Sequence, residues 1–269
     1  MVLFLVPVFA YAGITSKFHL GYVWLTPVFA CWGSFLNVLS YRLMRDESVV
    51  KPRSRCPSCK HTLAWYDLIP VLSYVILHGH CRYCTARISP LYPFIEVLTV
   101  LVMSLLYAMV PLIYFPTYFI FFSALIVTIR SDLETMLISR FVTLFLIPLG
   151  IGASALGYLP ITLSDSILGI FVSAGFLYAI SWLFYKATGK IGIGQGDVEL
   201  LAFIGAFTGI IGSWVALCIG SVLGSLIGIG YILLSGSKKD TKIPFGPFLA
   251  IGAIIYVLAQ EFLIVYIST

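Results

Sequence analysis

The sequence predicts an all-α polytopic membrane protein of about eight spans, with a polar four-cysteine insertion after the first helix. Three observations predict it. Of 269 residues, 60% are hydrophobic and only 10% charged, against about 25% charged in a soluble chain. The apolar residues fall in runs near the ~20 that cross a bilayer as a helix. They do not alternate as barrel strands must, and lipid leaves no partner for the open backbone of other structures. The polar stretch 42–91 gathers four of the six cysteines.

Residues 1–13 are apolar with no basic residue ahead of them, so no cleavable signal peptide is expected. They extend the first helix or lie in the interface. Spans are expected at 20–41, 92–112, 113–129, 141–159, 164–185, 198–212, 214–234 and 247–267, with Pro111 and Pro116 marking the turn between the second and third. The chain divides into a first segment and helix (1–41), a polar segment (42–91) and a helical membrane domain (92–269). Gly220, Gly224 and Gly228 repeat every four residues and predict close helix packing. Cys31 and Cys218 sit in apolar runs and are expected to be ordinary buried helix residues.

With eight spans, fifteen of the sixteen Lys and Arg residues fall on one side, leaving Lys17 alone on the other. The positive-inside rule puts the four basic segments 42–91, 130–140, 186–197 and 235–246 in the cytoplasm and both termini outside. The net charge of +5 is accounted for by these loops, so no nucleic-acid partner is expected.

In the polar segment, Cys56-Pro57-Ser58-Cys59 and Cys81-Arg82-Tyr83-Cys84 are two C-x-x-C knuckles separated by 21 residues. Each pair can present two thiolates to one ion, and a four-thiolate set suits tetrahedral zinc. A reducing cytoplasm disfavours disulfides. With four protein ligands no open position is left, so the site reads as structural. His61 and His80 flank the knuckles as substitute ligands, and a redox C-x-x-C is the rival reading.

The carboxylates separate by context. Asp46, Glu47, Asp67 and Asp240 read as solvated loop residues, Asp165 as a helix N-cap and Glu261 as ambiguous. Glu96 lies inside a span, where a carboxylate is either functional or a helix-to-helix hydrogen bond. Asp132, in Ser131-Asp132-Leu133-Glu134, and Asp197, closing Gly192-Ile193-Gly194-Gln195-Gly196-Asp197, end up at the same face and depth. Glu134 and Glu199 follow each by two residues and point elsewhere on a helix. Two carboxylates sharing a site split into one acid and one base, enough to hydrolyse a peptide without a metal. The glycines would admit extended substrate backbone. They do not have nucleotide-loop spacing. From the residues alone a catalytic pair, a proton relay in a transporter and plain helix-end aspartates all stay open.

At this point the chain resembles the bacterial type IV prepilin peptidases, the leader peptidase/N-methyltransferases of the GxGD membrane aspartyl protease family. The resemblance runs from about Gly33 to Ile251. Gly33-Ser34-Phe35-Leu36-Asn37-Val38 with Tyr41-Arg42 is similar to the first-helix signature. Trp65-Tyr66-Asp67-Leu68-Ile69-Pro70 lies between the knuckles as in that family, and Tyr92-Pro93-Phe94-Ile95-Glu96 resembles its second-helix entry. Asp132-Leu133-Glu134-Thr135-Met136-Leu137-Ile138 and Gly194-Gln195-Gly196-Asp197 resemble its aspartate motifs, and Ile243-Pro244-Phe245-Gly246-Pro247-Phe248-Leu249-Ala250 its last motif.

The resemblance implies a hydrolase of the bacterial cytoplasmic (inner) membrane that removes the leader of prepilins or pseudopilins at the cytoplasmic face, for type IV pilus assembly or protein secretion. It implies Asp132 and Asp197 as the catalytic residues, zinc on Cys56, Cys59, Cys81 and Cys84, and S-adenosylmethionine as donor for methylation of the new N-terminus. No residue is assigned to methyl transfer. The alternatives are a leader peptidase without methyltransferase activity and a proton-coupled transporter. Two departures stand out. The first aspartate motif usually continues with Pro-Asp, and here Ser139-Arg140 follows. The second is usually Gly-Tyr-Gly-Asp with a following lysine, and here Gln195 precedes and Glu199 replaces that positive neighbour.

Overall fold

A computed structural model describes residues 21–51, 53–190, 192–235 and 243–268. The stretch 1–13, Lys17, Asp240 and the lysines Lys238, Lys239 and Lys242 lie outside the described residues. Among the described residues the chain is helical, with two isolated β-bridges and no strand. The helices are α1 (Gly21–Leu43), α2 (Leu72–Ile76), α3 (Leu91–Met109), α4 (Phe115–Thr135), α5 (Arg140–Ala155), α6 (Leu163–Thr188), α7 (Gln195–Ser235) and α8 (Gly246–Ser268), with a 3-10 turn at Trp65–Leu68. Among the described residues four helices are long and apolar enough to cross a membrane: α3, α4, α6 and Gln195–Tyr231 of α7. The chain is therefore a multi-pass membrane protein, with the four cysteines clustered after the first helix. It forms two compact units. One ends at Pro111 and takes in the last turns of α8 from Ile264, and the other runs Leu112–Leu263.

In the first unit α1 packs on α3. A Cβ on Gly33 would lie 2.9 Å from Thr99 and 3.0 Å from the Glu96 backbone, so the glycine lets the two backbones approach. One turn on, Asn37 Nδ2 donates to the Tyr92 carbonyl at 3.1 Å. At the end of α1, Arg42 turns onto the Ser48 and Val49 carbonyls, both at 2.8 Å. Glu96 is buried and accepts from the Val71 N–H at 2.8 Å. Val71 holds φ 61°, a left-handed conformation costly for a β-branched residue, and the Glu96 bond helps to hold it. The carboxylate thus ties the end of the polar segment to α3, the hydrogen-bonding reading of Glu96.

In the second unit α4 is buried without a break from Phe121 to Asp132, as a helix enclosed on all sides must be. Phe121 stacks on Phe207 of α7, with ring centroids 4.8 Å apart. The α6–α7 crossing is closer still: a Cβ on Gly169 would lie 2.6 Å from the Gly205 carbonyl. Two buried serines of α6 hydrogen-bond across it, Ser166 to Ala206 O at 2.7 Å and Ser173 to Leu201 O at 3.3 Å.

The sixth and seventh expected spans fall on one helix, α7, which changes direction inside the sixth. Helix α7 breaks at Gly209, with φ 70° and ψ −169°, open to glycine but costly for other residues. Before the break, Ala206 and then Leu201 meet successive residues along α6. After it, Trp214 meets Phe176 (centroids 4.5 Å apart), further along α6 in the direction of Leu201. The chain therefore turns back at Gly209. The returning arm carries the predicted glycine ridge, and α8 covers it. A Cβ on Gly220 would lie 3.1 Å from the Phe248–Leu249 backbone, one on Gly224 3.1 Å from Phe248, and one on Gly228 3.1 Å from Ile243.

Three sequence expectations change. Asp165 is not the N-cap of α6. Thr162 is the cap, its hydroxyl accepting from the Asp165 N–H at 3.1 Å and donating to the Asp165 carboxylate at 2.8 Å. Asp67 is not a solvated loop residue. Its side chain is 3% exposed and accepts from Arg82 Nε at 2.8 Å, because it pins the Trp65–Leu68 turn to the second knuckle. Cys31 and Cys218 lie on helices as expected, but on exposed rather than buried positions, since an apolar side chain costs nothing when its solvent is lipid.

Candidate active site and metal centre

The aspartate site is built where several ends of the second unit meet. Asp132 lies in the last turn of α4. That helix stops at Met136, a left-handed C-cap (φ 55°) whose N–H donates to the Asp132 carbonyl at 2.9 Å. The chain then runs through Ile138 to Ser139, the extended residue that opens α5. Asp197 lies in the first turn of α7, its N–H donating to the Gly194 carbonyl at 3.2 Å. Asp132 lies near enough to Asp197 for its charge to act there.

The third contributor is α8. Its first residue, Gly246, donates its backbone N–H to Asp132 Oδ2 at 3.0 Å. A helix N-terminus carries unpaired N–H groups and the positive end of the macrodipole, so it favours a carboxylate there. A Cβ on Gly246 would lie 2.8 Å from that oxygen, which makes glycine the residue that fits. Phe245 accepts the next helical N–H groups, from Phe248 and Leu249.

The glycines before Asp197 have a nearer cause than substrate access. The empty side of Gly194 faces the carboxylate of Asp197, at 3.2 Å from a would-be Cβ, and that of Gly196 faces Ile138 at 3.1 Å. Ile138 also fills the space beside Gly246 at 3.1 Å. It is the wedge between the starts of α7 and α8; the sequence shows it only as the last residue of the first aspartate motif, without this packing role.

Charged neighbours frame the pair without joining it. Arg130, buried one half-turn before Asp132, pairs with Glu134 at 2.6 Å. Arg140 Nε pairs with Glu199 Oε1 at 3.1 Å. Glu134 and Glu199 thus point away from the aspartates, as their spacing predicts.

In the polar segment the four predicted cysteines come together. Their sulfur atoms all lie within 4.8 Å of one another, an arrangement that could hold a metal ion. Both knuckles are the same turn, repeated 25 positions on. Lys60 and Thr85, each in the left-handed region, donate to the Cys56 and Cys81 carbonyls, while the N–H groups of Cys56 and Cys81 donate to His61 and Ala86. Bridges Arg55–Thr62 and His80–Arg87 close the two turns. Neither histidine joins the cluster. His61 stacks on Tyr83 at 3.7 Å, and His80 Nδ1 lies 2.7 Å from the His78 carbonyl.

The thiols feel one another. Burial pushes Cys56 up, but the N–H groups of Cys59 and Ser58 and the thiols of Cys59 and Cys81 pull it down to about 7. At Cys84 the Ala86 N–H favours the thiolate, yet burial and the three neighbouring sulfurs outweigh it and push the thiol up to about 12.

Comparison with known proteins matches residues 28–110 to the bacterial peptidase A24 N-terminal domain and residues 119–229 to the type IV leader peptidase family. The chain belongs to the type IV leader peptidase family. The first match spans the Gly33–Asn37 face and the cysteine centre, and the second holds both aspartates. Among curated relatives, a prepilin leader peptidase/N-methyltransferase of Aeromonas salmonicida is 37% identical over 257 residues, 84% of this chain and 86% of that protein. The protein of that name from Pseudomonas aeruginosa is 30% identical over 263 residues, 84% and 86% of the two chains. A type 4 prepilin-like proteins leader peptide-processing enzyme of Escherichia coli O78:H11 is 31% identical over 247 residues, 85% and 90%. No solved structure matches the chain.

Proposed function

We propose that this chain is a prepilin leader peptidase of the bacterial inner membrane, with Asp132 and Asp197 as its catalytic carboxylates. The observation that carries the assignment is the meeting of the two aspartates at helix ends, with the α8 N–H on one of them. Family membership favours this reading over a proton-coupled transporter.

The geometry supports a two-carboxylate mechanism. The apolar helix of a prepilin or pseudopilin enters among the spans, eight by our reading, and its basic leader stays on the cytoplasmic side. A water held between the carboxylates attacks the scissile carbonyl. Asp132, whose carboxylate the Gly246 N–H already stabilises, takes the water proton. Asp197 donates its proton to the carbonyl oxygen. Collapse of the tetrahedral adduct breaks the C–N bond, and a proton passes to the departing amine. The pair titrates as a unit.

The residues of the cysteine cluster fit zinc. A tetrahedral ion with Zn–S near 2.3 Å sets sulfurs about 3.8 Å apart, and Cys56 Sγ and Cys84 Sγ lie at 3.8 Å. Cys56, Cys59, Cys81 and Cys84 would hold it, fixing the segment's fold. S-adenosylmethionine is the proposed donor for methylation of the new N-terminus, supported by the names of the relatives.

Mass spectrometry of a co-expressed type IV prepilin tests the reading, since it reports the cut and the methyl group together. A trimmed and methylated N-terminus is expected. Trimming without methylation would leave a plain leader peptidase, and an intact leader would overturn the proposal.

A further inference from the structure

We propose that Arg140 and Glu199 form a clasp that holds the two aspartate-bearing elements in register. The proposal rests on the reading of Asp132 and Asp197 as the catalytic pair.

Arg140 is the first residue of α5, at the end of the turn that leaves Asp132. Glu199 lies in the first turns of α7, two residues beyond Asp197. Their side chains meet with Nε to Oε1 at 3.1 Å. Ile138, two residues before Arg140, lies against Gly196, so the 138–140 strap grips the start of α7 at an apolar point and at a charged one. The two points lie on either side of Asp197 in the first turns of α7.

The pair also joins the two changes noted at Arg140 and Glu199 in the sequence, which read there as separate and are one contact in the structure.

The surroundings make the contact matter. Glu199 is only 12% exposed, and its other oxygen, Oε2, is enclosed with no hydrogen-bond partner among the described residues. An enclosed carboxylate depends on its paired cation, and without Arg140 it must move toward water and take the start of α7 with it. Arg140 is 63% exposed, so the pair adds little to global stability. Its effect falls on position, where about 1 Å of displacement can cost on the order of a hundredfold in rate. Arg140 and Glu199 are positioning residues, and neither need touch substrate.

Charge exchange in the full-length enzyme tests this, with kcat and KM for leader removal from a type IV prepilin as readout. Arg140→Glu and Glu199→Arg should each lower kcat about tenfold or more while KM stays within about twofold. The double exchange should recover most of the loss. Wild-type kcat in both single variants, or a double variant no better than the worse single, would overturn the clasp. If a charge-reversed variant proves unfolded by its melting temperature, Arg140→Gln and Glu199→Gln replace it. Their losses should then be non-additive in the double variant, and additive losses count against the pair. The wild type and Asp197→Asn are run alongside. A wild type that does not cleave fails the active-site reading and the clasp falls with it, whereas a cleaving wild type, a dead Asp197→Asn and unaffected clasp variants fail the clasp alone.

Discussion

The cysteine centre and the aspartate site are assembled by opposite means. Each knuckle folds on itself: its turn hydrogen bonds join residues four or five positions apart, its bridge residues seven apart, and the same turn appears twice. The aspartate site has almost no local support. Asp132 takes its N–H from Gly246, 114 positions along the chain, and its spacing from Asp197 depends on Ile138 wedged between two other helix starts. Local turns tolerate change elsewhere in the molecule. A site made of distant helix ends depends on the packing of every helix that leads to it.

That contrast can be broken first at the carboxylates. Asp132→Asn or Asp197→Asn should lower leader cleavage by about a thousandfold or more, since each would remove one of the two proposed proton-transfer groups. Binding of uncut prepilin should persist, and robust cleavage by either purified variant would remove that aspartate from the mechanism. The next largest effect is expected at a residue with no chemistry of its own. Gly246→Ala sets a methyl 2.8 Å from the Asp132 oxygen, and the required shift should cost about ten- to a hundredfold in kcat with the cysteine centre still loaded. Full activity would mean that α8 does not position Asp132.

The cysteine cluster supplies the reverse case. Cys56→Ser with Cys59→Ser should abolish the roughly one zinc per chain that elemental analysis is expected to find, because two thiolates cannot close the tetrahedron. Proteolysis should then open the segment 42–91 while α4 to α8 stay protected. A metal-free yet folded and resistant segment would deny zinc its structural role. pH should act here too. Only thiolates bind the ion. Protons compete with the ion for every thiolate, so zinc retained against a chelator should fall as the pH is lowered, and retention that does not change with pH into strong acid would argue against thiolate ligation. The smallest effect is local. Thr162→Ala removes the cap of α6 and should cost about 1 kcal/mol of stability without altering kcat, measured by thermal unfolding.

Several features were legible because their cause is local or compositional. The apolar runs located the helices, although α4 runs on past its expected end at 129 to Thr135 and α7 breaks at Gly209 rather than at 213; Pro111 and Pro116 bracketed the α3–α4 turn, and the glycines at 220, 224 and 228 announced a packing face. Other features were not, because their cause lies in a distant partner. Asp67 looked like a solvated loop residue until Arg82 closed on it. Ile138 is one apolar residue among many until its neighbours are known. Arg140 and Glu199 read as two unrelated irregularities, and only the structure shows them in contact.

By itself the sequence determined that the chain is helical and membrane-bound, that four cysteines close one centre, and that Asp132 and Asp197 stand apart from the other acids. Composition, spacing and charge distribution are enough for those, since each is a property of short stretches in a given solvent. The tertiary structure alone decided how the aspartates are held. It supplied the α8 N–H on Asp132, the reversal at Gly209 that gives α8 a glycine face to pack on, and the ion pair beside Asp197. These are contacts between helix ends far apart in the chain, and periodicity along a helix carries no information about which ends will meet.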